Sequence, residues 1–109
     1  MLHVGVNTLA VGVWNDAPTS SDLVLVAKLS INHNARRTMR FLANAGDPGV
    51  GENWVHPFFN DSSWNEGSHG VGYETSASPP NANALLQTTV PSTAASIYTR
   101  ARIEIANAS

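Results

Sequence analysis

The stretch Pro57–Tyr73, PFFNDSSWNEGSHGVGY, decides how the rest of the chain is read. Phe58 and Phe59 lead into a polar turn, Asn60-Asp61-Ser62-Ser63, followed by Trp64 and then by Gly67, Gly70 and Gly72 on the way to Tyr73. Asn and Asp side chains bond their own backbone two residues on, and Ser does so more weakly, so NDSS has a physical reason to turn. An indole directly after such a turn is expected at the edge of a core, with its N–H finding a partner. Phe59, Trp64 and Tyr73 are therefore read as core.

Upstream, Gly5–Trp14 (GVNTLAVGVW) reads as a strand with Leu9, Val11 and Val13 on one face and Ala10, Gly12 and Trp14 on the other. Both faces are apolar or small, which predicts a central strand rather than an edge, with Trp14 as a core plug. Asn15–Ser21 is a dense turn signal around Pro18. Asp22–Ile31 reads as a second strand, apolar at Leu23, Leu25, Ala27, Leu29 and Ile31, and is expected to pair antiparallel with the first. Asn32–Arg37 has no periodicity and reads as a linker or long loop. Thr38–Asn44 fits either a short helix capped by Thr38 or a strand with Met39 and Phe41 facing inward.

Gly46–Asn53 and Glu74–Asn83 are loops by composition, and Leu85–Val90 is a short strand. The last element alternates cleanly: Ile97, Thr99, Ala101, Ile103 and Ile105 against Tyr98, Arg100, Arg102 and Glu104. That is period two, with one buried and one wet face, and it makes Arg100, Arg102 and Glu104 a solvated row. Short strands between long Gly/Pro/Asn loops, with no amphipathic helix, predict an all-β fold, an antiparallel β-sandwich.

Composition narrows the function classes. At 109 residues the chain has room for one domain. Charged residues make up 13%, about half the usual share, which suits an extracellular or cell-surface β domain better than a cytosolic enzyme. A net charge of −2, with Arg36, Arg37 and Arg40 the only basic cluster, argues against a nucleic-acid surface. Without cysteine there is neither a disulfide framework nor a thiolate metal site. No apolar run approaches the roughly 20 residues of a membrane helix, so no membrane insertion is expected. The N-terminus lacks a basic n-region and a cleavage site, so it does not read as a signal peptide, and if the protein is secreted its signal is expected upstream of this sequence.

FFNDSSWNEGSHGVGY resembles the signature F-D-D-S-x-W-x-x-G-x-x-x-x-G-Y near the start of galactose-binding-like jelly-roll domains of secreted bacterial multidomain proteins. IYTRARIEIAN resembles their Y-x-R-x-x-F-x-V strand, with Tyr98, Arg100, Ile103 and Ile105 on matching positions, and Trp54 sits where the family often has a Trp. Residues 1–31 resemble the closing segment of the same family through Gly5, Asn7, Leu9, Ala10, Val11, Asn15, Ser20, Ser21, Asp22 and Leu23. The closing pattern thus precedes the opening one. The resemblance implies a closing strand pair at 1–31, a linker at 32–37 and an opening half at 38–109. Two accounts fit that order: the tail of one repeat followed by the head of the next, or one circularly permuted domain. Half-domains with unpaired edges would exchange strands into a dimer.

The resemblance implies a non-catalytic, carbohydrate-binding-like accessory module with a polysaccharide or glycan ligand and neighbouring domains of the parent chain as partners. Trp54, His56, Asn60, His69 and Tyr73 lie in or near the loops that would bind sugar, with Trp54 the best candidate for an exposed ring. The alternative is a structural spacer or adhesion-type repeat without a sugar ligand. No catalytic cofactor is expected. A structural calcium is common in the family, and Asp47, Asp61, Glu66 and Glu74 are the loop carboxylates that could hold one. A transition-metal site would draw on His56, His69, Asp61 and Glu74, but no H-x-x-x-H spacing occurs. Ser62 or Ser63 with His69 and Asp61 supplies the residue types of a hydrolase, but the G-x-S-x-G elbow is missing and a turn explains these residues better. Asn60-Asp61-Ser62 and Asn107-Ala108-Ser109 are glycosylation sequons, relevant only in a glycosylating host.

Overall fold

The computed structural model describes residues 2–27 and 38–106. Among them the strands are β1 (Gly5–Trp14), β2 (Asp22–Leu25), β3 (Thr38–Asn44), β4 (Asn65–Ser68), β5 (Val71–Glu74), β6 (Thr88–Thr89) and β7 (Ser96–Ile105). The helical content described is two 3₁₀ turns, Asn53–Val55 and Asn83–Leu85. A first sheet has the order β1-β7-β3-β4 with every pairing antiparallel. A second has the order β2-β5-β6, antiparallel between β2 and β5 and parallel between β5 and the two-residue β6. The fold is all-β.

β1 and β7 pair along their whole length, from Gly5 opposite Ile105 to Trp14 opposite Ser96. Between the two sheets lies the main core. Met39, Phe41, Ile97 and Ala101 come from the first sheet and Leu23, Val71 and Tyr73 from the second, with Val90 and Ala94 closing one side. Leu9, Val13, Leu25 and Ala43 pack against this cluster. Ile97 and Val71 have no exposed surface, and burying a side chain of that size contributes roughly 1.5–3 kcal/mol.

Several expectations are corrected. β1 is the edge of the first sheet, not a central strand, and β2 belongs to the second sheet, so the two do not pair. The turn at Asn15–Ser21 instead carries the chain from one sheet to the other. Strand β2 ends at Leu25; the remainder of the expected strand to Ile31 and the linker Asn32–Arg37 lie largely or wholly outside the described residues. Thr38–Asn44 is a strand, with Met39 and Phe41 buried. Of Leu85–Val90, only Thr88–Thr89 is strand.

On β7, Ile97, Thr99 and Ala101 are buried as the alternation requires, but so are Tyr98 and Arg100 on the opposite face. The exposed-and-covered alternation begins only at Arg102. The reason is a second layer: the connection between β3 and β4 folds over the outer face of the first sheet and packs on Tyr98. The same cover explains why β1 is small or apolar on both faces although it is an edge.

Within the second sheet, the β2–β5 pairing constrains Gly72 tightly. A Cβ on Gly72 would lie against the Leu23 carbonyl oxygen and 2.8 Å from Val24 Cα, its cross-strand partner. These are backbone atoms that cannot swing aside. Gly72→Ala is expected to destabilise by more than about 2 kcal/mol, lowering the melting temperature by roughly 10 °C in a domain of this size. Gly46→Ala, where a Cβ meets nothing within 4 Å, is expected to stay within about 0.5 kcal/mol. Equal melting temperatures for the two variants would contradict the close β2–β5 approach.

Candidate functional site

The outer face of the first sheet carries a row of residues in register: Ala10 opposite Arg100, Arg100 opposite Arg40, and Arg40 opposite Glu66. Over this row lies an aromatic layer. Trp54, Trp64 and Tyr98 form a buried cluster, with Ala10, Leu42, Val50 and Phe59 packed against it. The Trp54 and Tyr98 rings stack at 4.3 Å and 7°, and Phe59 meets Trp64 edge-on at 5.6 Å. Gly12, opposite Tyr98, has no side chain because the space is filled: a Cβ there would sit 2.7 Å from the Trp14 ring and 3.2 Å from the Trp54 ring.

Beside the aromatics, Arg100 is only 2% exposed. Its Nε donates to Asp61 Oδ2 at 2.9 Å. Nη1 donates to the carbonyls of Trp54 and of His56, the latter at 3.0 Å, and Nη2 to that of Phe59 at 3.4 Å. The guanidinium also lies 5.3 Å from the Phe59 ring centroid, within cation–π range. Asp61 is fixed in turn: Ser62 N–H donates to Asn60 Oδ1 at 3.0 Å, and Trp64 N–H donates to the Asp61 carbonyl at 2.9 Å. The NDSS turn therefore delivers a carboxylate to a buried arginine. Arg100, expected in a solvated row, is the polar centre of the covered face.

Next to this pair is a cavity of about 280 Å³ lined by Thr38, Met39, Arg40, Asp61, Glu66, Arg100 and Arg102. Asp61 Oδ1 lies 3.8 Å from both Arg40 Nε and Arg102 Nη2. Arg40 is held by the Ser62 and Trp64 carbonyls at 3.2 and 3.1 Å and by Glu66 Oε1 at 3.1 Å. The side chains of Arg102 and Glu66 are 60% and 76% exposed. The cavity thus offers a guanidinium donor and two carboxylate acceptors on or beside rigid strands, a set able to hydrogen-bond a polar ligand from several sides.

The residues singled out for glycan binding do not share one surface. Trp54, expected as the exposed ring, is only 6% exposed because it stacks on Tyr98 and caps the outer face. Tyr73 is in the core between the sheets, its hydroxyl accepting from Asn15 Nδ2 at 2.7 Å and donating to the Ser20 carbonyl at 3.3 Å. His56 is exposed and contributes its carbonyl to Arg100. Asn60 is exposed, with its side chain in the turn. His69 lies between β4 and β5, with its buried Nδ1 lacking a partner among the described residues. Trp14, expected as a core plug, is instead 60% exposed at the end of an edge strand, 5.6 Å from Tyr98.

Of the carboxylates considered for calcium, Asp61 and Glu66 meet at the cavity, each engaged by an arginine. Asp47 accepts from Gly49 N–H at 2.8 Å. Glu74 accepts from the N–H groups of Ala82 at 2.8 Å and Ser76 at 2.7 Å, which hold its carboxyl below its ordinary pKa. Among the described residues no group of three or more His, Asp or Glu side chains is placed to hold a metal ion. Asp61 orients an arginine, not a histidine. Arg40 and Arg102 are the site residues that sequence reasoning missed. The available signal was the alternation that places Arg100 and Arg102 on one face, together with an aspartate in a turn that needed a partner.

Compared with models of protein families, with curated proteins and with solved structures, the chain gives no match in any of the three.

His69 generates a pH prediction. Burial lowers its pKa from the ordinary value, so the unfolded state binds the proton more readily than the folded state. Stability is therefore full above about pH 6.5 and declines as pH falls through that value toward the lower folded pKa. The melting temperature is expected to drop between about pH 7.5 and about pH 5, and His69→Gln should remove part of that drop. An unchanged pH profile in the variant would refute this role.

Proposed function

We propose that this chain is a non-catalytic carbohydrate-binding module of a secreted or cell-surface multidomain protein. One observation carries the reading: the roughly 280 Å³ cavity in which Arg102, Glu66 and Oδ1 of Asp61 converge. Its volume is near the lower end of small-molecule pockets, roughly 300–1,000 Å³, which suits one sugar ring better than a long chain. Planar guanidinium and carboxylate groups pair with adjacent hydroxyls. Arg100 holds Asp61, and the Ser62 and Trp64 carbonyls hold Arg40, as a preorganised site requires.

We read the fold as a galactose-binding-like jelly roll in which the described residues 2–27 and 38–106 belong to one circularly permuted sandwich. Two facts support this. The segment resembling the family's end pairs along all of β1 with the strand resembling its Y-x-R motif. The Asp of the FNDSSW motif and the Arg of the Y-x-R motif bond to each other at 2.9 Å.

A second reading, a structural spacer or adhesion repeat, is favoured by the burial of Trp54 and Trp64. The aromatic wealth of the chain is then spent on the fold rather than on a ligand. Affinity gel electrophoresis of the whole chain against a polysaccharide panel separates the two. The binding reading expects saturable retardation by at least one polysaccharide, abolished in the Glu66→Ala/Arg102→Ala double variant without a matching loss of thermal stability. No retardation by any polysaccharide would favour the spacer.

A further inference from the structure

We infer that the ligand of this cavity carries an anionic oxygen group, a uronate carboxylate or a sulfate ester, seated on Arg102 beside Arg40. The inference rests on the glycan reading above and names the charge of its ligand.

The chain is acidic, with a net charge of −2, yet three of its six basic residues line one cavity. Three guanidiniums there face two carboxylates, leaving one positive charge. The carboxylates are committed elsewhere. Asp61 Oδ2 takes Arg100 Nε at 2.9 Å, in a position with almost no solvent contact, and Glu66 Oε1 takes Arg40 Nη2 at 3.1 Å. What remains is Arg102. Among the described residues its ion-pair contact is Asp61 Oδ1 at 3.8 Å, beyond hydrogen-bonding distance. Glu104, two residues on along the same face of β7, forms no ion pair with it.

Arg102 is therefore a strand-mounted guanidinium, 60% exposed, that lines the cavity with most of its N–H donors unspent among the described residues. A guanidinium presents parallel N–H groups whose fork matches a carboxylate or a sulfate, so an anionic group adds a bidentate contact and an opposite charge to the hydrogen bond. A hydroxyl-only sugar would use the same donors without that gain. Asp61 Oδ1 lies beside Arg102 at 3.8 Å without a hydrogen bond to it, and Glu66 is 76% exposed, so carboxylate oxygens next to the seated anion could still accept from hydroxyls of the same ring. The site is open to water, so the charge preference must weaken as salt rises.

The test is isothermal titration of the whole chain with oligogalacturonate, a sulfated galacto-oligosaccharide, the neutral galacto-oligosaccharide of equal length, and sodium sulfate. At least one charged oligosaccharide is expected to bind roughly tenfold or more tightly than the neutral one. That advantage should shrink as salt is raised from about 0.05 to about 0.5 M, vanish in Arg102→Ala, and survive in part in Arg102→Lys. The two charged arms tell carboxylate from sulfate ester. Equal binding of neutral and charged oligosaccharides, or an advantage that persists in Arg102→Ala, overturns the inference and leaves the glycan reading standing. Sodium sulfate bound as tightly as the charged oligosaccharides reduces the cavity to an ion site and overturns it as well. Binding by none of the probes overturns both.

Discussion

The guanidinium of Arg100 sits between the first sheet and the connection that covers it, bonded to the Asp61 carboxylate and to the carbonyls of Trp54, His56 and Phe59. Every partner belongs to the β3–β4 connection, while Arg100 belongs to the strand at the centre of the sheet's pairing. The pair thus ties an irregular segment to a regular one. Burying two charges carries a desolvation penalty of several kcal/mol per ion, repaid only when geometry is good and the remaining donors are satisfied. Here the carbonyls satisfy them. Losing one partner would strand the other charge in a site that water barely reaches, which is why the rest of the outer layer depends on the pair.

With the connection pinned, the middle of the first sheet around Tyr98 and Arg100 is covered on both sides, by the second sheet on one face and by Trp54, Phe59 and Trp64 on the other. The proposed binding site moves accordingly. The aromatic rings that look available in the sequence become the cover, and the polar groups at the margin of that cover, Arg40, Glu66 and Arg102, become the accessible ones. Asp61 joins the two roles: Oδ2 holds Arg100 and Oδ1 faces the cavity. The structural pair and the proposed binding site therefore share one carboxylate.

The legible parts of the sequence were those governed by local periodicity or local hydrogen bonding. β1 spans the residues its pattern predicts, the NDSS turn forms through Asn60, and Trp64 and Tyr73 are buried. What was not legible depended on a long-range layer. Period two on β7 places Arg100 away from the inter-sheet core, which is correct, but nothing in the strand itself says that a loop some forty residues earlier covers that face. The small outer face of β1, Ala10 and Gly12, was the trace of that cover, and reading it as a central strand mistook a loop for a neighbouring strand. Trp54 and Trp14 exchanged their expected exposures for the same reason: the connection reaches Trp54 onto Tyr98 and stops short of Trp14.

The central claim is that the Arg100–Asp61 pair holds the outer layer down. Native-state hydrogen exchange on Asp61→Asn, which keeps shape and removes charge, tests it most directly. The Phe59 and Trp64 amides, which bond within the connection, are expected to lose protection strongly, while the amides of Ile97 to Ala101 in β7 stay close to wild type. Unchanged protection at Phe59 and Trp64 would contradict the account, as would a uniform loss across both regions.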